Sequence, residues 1–183
     1  NSFRLMMRTQ DPVILWDLLS KHVSRTQSYM ANFAIEQYKT IIEGFVTDKP
    51  RLLRHAARDL HNEKSILLKY RRQELLALRK APMDIAIERN TWFHVGINAS
   101  QQYIYVLRRM LDPIKEHVDN NCTPITPELV EEYQPSYRKV IDLISQTEKT
   151  IATGRFENYR QVLDEAEQFE TELSSIRKQH IDR

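Results

Sequence analysis

The chain has 183 residues, with 27 Lys and Arg against 25 Asp and Glu, a formal charge of +2, three glycines, seven prolines and one cysteine. That length suits a single domain with a real core, and the near balance of charge excludes the concentrated basic excess of a nucleic-acid binder. The lone Cys122 excludes an internal disulfide and fits a reducing compartment.

Few glycines and prolines, with abundant Leu, Ile, Glu, Lys, Arg and Gln, favour helices and leave little turn chemistry for a sheet. Residues 1–10 are short and mixed and read as a lead-in or linker; residues 11–183 read as one helical bundle domain. Asp11-Pro12 is a helix start, Asp as N-cap and Pro at the first position. The first long helix reaches about Val46, with an inner stripe of Leu15, Leu18, Leu19, His22, Tyr29, Met30, Phe33 and Ile41 and with Gly44 near its end. Thr47 to Pro50 supplies a second N-cap and early proline. The second helix runs to about Lys80 with Leu52, Ala56, Leu60, Leu67, Tyr70, Leu75 and Leu78 on or near its buried side, and Ala81-Pro82 stops it.

A central helix follows over Glu88 to Asn121 and reads as the spine of the bundle. Its stripe passes through Trp92, Gly96, Ala99, Tyr103, Val106, Met110 and Ile114. Gly96 and Ala99 predict a close helix crossing, since Gly inside a helix costs about 1 kcal/mol relative to Ala and calls for a packing reason. Pro113 predicts a kink near Arg109 and Met110.

Residues 120–127 form the clearest loop. The fourth helix starts at Thr126-Pro127, is bent or delayed at Pro135, and reaches about Thr153, where Gly154 is a left-handed cap. Its seam is Val130, Tyr133, Tyr137, Val140, Ile144, Thr147 and Ile151; the fifth helix, from Phe156 to about Ile181, has the seam Tyr159, Val162, Ala166, Phe169, Leu173, Ile176 and His180. Heptad spacing and a short joint predict an antiparallel hairpin, closed within one chain or between two. The sum is an all-α, up-and-down antiparallel bundle of about five long helices.

Chemistry is sparse. His55, Asp59 and Glu63 succeed one another at i, i+4 and i+8, with Glu63 inside the apolar stripe. Half of a divalent-metal site is one reading; the other is a buried Glu63 paired with an Arg or Lys. No Glu-x-x-His pair exists for a di-iron centre. His117, alone near the apolar face, suits a satisfied interior histidine better than a ligand. The acidic run Asp164, Glu165, Glu167, Glu170 and Glu172 reads as a solvated face, with Glu170 flanking the seam. Arg108-Arg109 and the run Lys69 to Arg72 offer an anion or phospholipid headgroup site, against the alternative of surface ion pairs. No nucleophile–base signature and no Gly-rich phosphate loop occurs, so no enzyme and no cofactor is expected. No apolar run approaches the ~20 residues of a bilayer span. No signal peptide is visible, and the start at Asn1 rather than Met predicts a soluble fragment of something longer.

The segments ARDLHNEKSILLKYRRQELLALRK (57–80) and NASQQYIYVLRRMLDPIKEHVDNN (98–121), with the closing helix, resemble the PhoU-like cytoplasmic domain of bacterial PiT-type inorganic phosphate transporters. The likeness covers roughly Leu52 to the end, and the run Leu107 to Asn121 is its most specific piece. It implies a bundle on the cytoplasmic side of the inner membrane, a transmembrane partner in the same transporter, and regulation of phosphate uptake through protein contacts, including those of a homodimer. Membrane contact would come through the parent protein only. The family's acidic motifs hold metal clusters, whereas Val106 to Met110 here carries Arg108 and Arg109, and Asp59-x-x-x-Glu63 is the nearest remnant. The alternative reading is a free-standing helical adaptor or coiled-coil oligomerisation module.

Overall fold

The computed structural model describes the backbone of residues 2–80, 83–153 and 159–181 and the side chains of residues 3–80, 98–153 and 159–179. Six helices and no strand occur among these residues: α1 (Ser2–Arg8), α2 (Pro12–Val46), α3 (Pro50–Arg79), α4 (Met83–Asp119), α5 (Pro127–Thr153) and α6 (Tyr159–Ile181). The expected all-α class holds.

The helix ends follow local chemistry. Asp11 Oδ1 accepts from the Val13 N–H at 2.9 Å, with Pro12 in the first turn of α2. The expected side-chain cap on α3 is missing: Lys49 is the N-cap residue and makes no such bond, while Asp48 turns the chain at φ 53°. Thr126 Oγ1 accepts from Leu129 N–H at 3.3 Å to start α5. Asn121, at φ 51°, stops α4, and the Cys122 N–H returns to the His117 carbonyl at 3.1 Å. Helices α4 and α5 continue through Pro113 and Pro135.

Pairings fix the directions. His22 faces Glu74, Tyr29 faces Glu63 and Gln37 faces Asp59, so α2 and α3 are antiparallel. Ser28 faces Glu148 and Tyr38 faces Tyr137, so α5 is antiparallel to α2 as well. One core joins Met30, Ala34 and Ile41 of α2 with Leu53, Ala56 and Leu60 of α3 and with Ile104, Leu107 and Leu111 of α4. Each of its buried Leu, Ile and Met side chains contributes roughly 1.5–3 kcal/mol.

Three expectations change. First, the hub is α2, which packs against α1, α3, α4 and α5; among the described residues α4 packs only against α2 and α3. Second, the buried face of α4 runs through Ser100, Ile104, Leu107, Leu111 and Val118; Tyr103, Met110 and Ile114 of the expected stripe pack at its edge, while Ala99 and Val106 are exposed. Ile104, Tyr105, Val106 and Leu107 are consecutive and apolar, so two stripes satisfy the same period and packing on α2 chooses between them. Trp92, Gly96 and Gly154 lie outside the residues whose side chains are described. Among the described residues a close approach falls at Gly44, where a Cβ would come within 2.8 Å of Leu53 Cδ2 and 3.2 Å of Leu52 Cβ.

Third, residues 1–10 are no bare linker. Met6 of α1 is fully buried with Leu15, Leu19, Val23 and Ala77 in a second core. The Lys80 ammonium donates to the carbonyls of Met6 (3.4 Å), Met7 (2.6 Å) and Thr9 (3.1 Å), at the end of α1 where helical carbonyls lack partners. At the other end of the chain, α6 packs only against α5 among the described residues, with Phe169 buried between them and Lys139 Nζ 3.3 Å from Glu165.

Candidate functional site

Two seams along α3 carry the polar side chains singled out in the sequence. On the α2 side, Glu63 is buried and accepts a hydrogen bond from the Tyr29 hydroxyl at 3.3 Å, so its partner is a phenol and not the expected Arg or Lys. Burial raises the Glu63 pKa, the Tyr29 bond opposes the rise, and Asp59 adds to it. Asp59 accepts from Gln37 Nε2 at 3.3 Å and lies 3.3 Å from His55 Nε2, which stands exposed. About three turns further along α3, His22 Nε2 comes within 3.1 Å of Glu74 Oε1 without hydrogen-bond alignment, and its ring meets Tyr70 edge-on at 5.3 Å.

The candidate cluster His55, Asp59 and Glu63 is thus split between an outer His55–Asp59 pair and a buried acid on a tyrosine. Among the described residues, no three His, Cys, Asp or Glu side chains converge as metal ligands. The acidic metal motif implied by the family likeness does not fit these residues.

The other single residues are structurally occupied. His117 Nε2 donates to the Thr123 carbonyl at 2.9 Å and packs edge-on to Phe45 at 5.6 Å, pinning the loop after α4. In the acidic run of α6 it is Glu165, not Glu170, that turns inward, accepting from Lys139 and Gln146.

The α3–α4 side differs. There the structure brings together Arg71, from the first basic run, and Arg108-Arg109, from the second, around a groove of about 420 Å³. Lys64 joins them; Lys69 and Arg72 do not. Buried Leu67 and Ile104 floor the groove, and exposed Leu68 and Tyr105 flank it. The Arg109 guanidinium lies 5.5 Å over the Tyr105 ring. None of the four cations forms an ion pair among the described residues, contrary to the expectation for a mixed-charge surface. Asp112 is the one acid on the rim. Lys64 and Tyr105 were missed by reading basic runs alone. The spacing held the signal: 64, 67, 68 and 71 on α3, and 101, 104, 105, 108, 109 and 112 on α4, each repeat at three and four residues.

Comparison with protein families, with curated proteins and with solved structures finds no match to the chain. Among the described residues no helix is long and apolar enough to cross a membrane.

Proposed function

We propose that the chain is a non-enzymatic helical module that regulates inorganic phosphate transport through protein contacts. The likeness of residues 57–80 and 98–121 to the cytoplasmic domain of phosphate transporters supports the transport reading. The observation that carries action by contact is the α5–α6 hairpin. Helix α5 has no fully buried residue, and α6 packs on α5 alone among the described residues. Tyr159, Leu163 and Leu173 of α6 are 56%, 43% and 39% exposed. At about 100° per residue these three fall on one side of the helix. An apolar row on a helix held by a single neighbour is a contact surface in waiting.

The experiment is phosphate uptake in cells whose chromosomal copy carries L163E/L173E. Both side chains are exposed, so the charges leave the fold intact while removing the apolar contact. An altered initial rate or an altered response to external phosphate supports the reading, and unchanged uptake at unchanged protein level refutes it.

A further inference from the structure

The α3–α4 groove combines two recognition chemistries in one volume. Three guanidinium groups and one ammonium, from Arg71, Arg108, Arg109 and Lys64, stand against a single acid, Asp112. Between them lies apolar surface from Leu67, Leu68, Ile104 and Tyr105. A volume of about 420 Å³ falls in the range of small-molecule sites, roughly 300–1,000 Å³. A protein partner would need a broader contact of about 800 Å² on each side.

The charge count narrows the ligand to an anion. Guanidinium forks match phosphate oxygens bidentately, and the two charged oxygens of a phosphodiester diverge from a tetrahedral phosphorus, so they can face forks from both helices at once. The apolar floor narrows it further. Leu68, 46% exposed, and Tyr105, 55% exposed, would gain from covering, and a bare inorganic anion covers neither.

We propose that this groove binds one molecule of an anionic phospholipid, its head phosphate between Arg71 and Arg108 and its glycerol and acyl portion against Leu67, Leu68, Ile104 and Tyr105. The assignment stands on the groove alone and is independent of the transport reading.

Calorimetric titration of the chain with dihexanoylphosphatidylglycerol, kept below its micelle concentration, tests it. Inorganic phosphate and dihexanoylphosphatidylcholine are the comparison probes. Saturable binding of one phosphatidylglycerol per chain is expected, with both comparison probes at least about tenfold weaker. The exposed positions allow R71Q and R108Q, each expected to weaken phosphatidylglycerol by about tenfold, the size of one lost charge-assisted bond. Leu68→Gln should weaken the lipid and leave inorganic phosphate unchanged. Absence of saturable lipid binding overturns the proposal. So does inorganic phosphate binding as tightly as the lipid, or full lipid affinity in R71Q/R108Q. Circular dichroism confirms the helices of each variant. Should the neutral pair lose helix, R71K/R108K keeps the charge and removes the forks, and unchanged affinity there is equally contrary.

Discussion

The hydroxyl of Tyr29 donates to Glu63 Oε2 across 3.3 Å, linking α2 to α3 through a carboxylate that is only 5% exposed. A buried acid held by a neutral phenol is satisfied as an acceptor but uncompensated as a charge.

That pairing gives a pH dependence with a definite sign. Burial, first, and Asp59, after it, hold the folded-state pKa of Glu63 above its ordinary 4.5. The contribution of this proton is fully present below 4.5 and is lost as pH rises through the folded-state value. Glu63→Gln keeps an acceptor for Tyr29 and removes the charge. It should raise stability near neutral pH by roughly 1 kcal/mol and change it little in acid. Urea unfolding at the two pH values reads the difference; an equal effect at both would speak against it.

At Gly44 α2 and α3 approach closely, with Leu53 and Leu52 filling the space a side chain would need. Gly44→Ala gains helix propensity of about 1 kcal/mol but forces Leu53, which is fully buried, out of place. Overpacking of this kind costs roughly 1–3 kcal/mol, so net destabilisation is expected. A higher melting temperature in the alanine variant would show that Leu53 has room to move.

The Lys80 ammonium is the clamp on α1, and its three carbonyl acceptors are 71 to 74 positions away in the chain. Lys80→Ala should release residues 2–8 with a small loss of global stability, because the second core keeps its α2 and α3 members. Amide exchange is the readout. Faster exchange confined to α1 is expected, and unchanged protection there would assign its docking to Met6 alone.

Tyr38 and Tyr137 stack with centroids 5.4 Å apart and join α5 to the hub. Burial pushes the Tyr38 phenol up to about 12. Its contribution to stability is therefore intact below the ordinary value of 10.0 and is lost as pH climbs through about 12. Ultraviolet titration should show a late-ionising tyrosine that disappears in Tyr38→Phe. Tyr137→Ala should loosen α5 and α6 by roughly 1–2 kcal/mol, mainly through lost stacking and burial. A transition unchanged in that variant would mean that Ser28–Glu148 carries the docking.

Helix spacing made the long helices legible, since Asp11, Pro12, Pro50, Thr126 and Pro127 mark their starts in local chemistry. The hub was not legible. Which helix sits centrally depends on how several apolar faces share one another, and α4 offers two neighbouring stripes, of which packing buries one and leaves Tyr103, Met110 and Ile114 of the other at its edge. Helix α1 is too short to announce itself by period, and Lys80 finds its acceptors only through the fold. At the groove the basic runs were visible, but their convergence needed the register of α3 against α4. Glu63 was rightly singled out as buried, and its partner was misjudged because a tyrosine 34 residues upstream left no pattern to read.

Regulation by contact is most directly tested by the rate of radiolabelled phosphate uptake in cells carrying L163E/L173E, compared with the unaltered chain at matched protein level. An altered rate or an altered response to external phosphate is expected if the exposed row on α6 is the surface of regulatory contact. Uptake indistinguishable from that of the unaltered chain would contradict it.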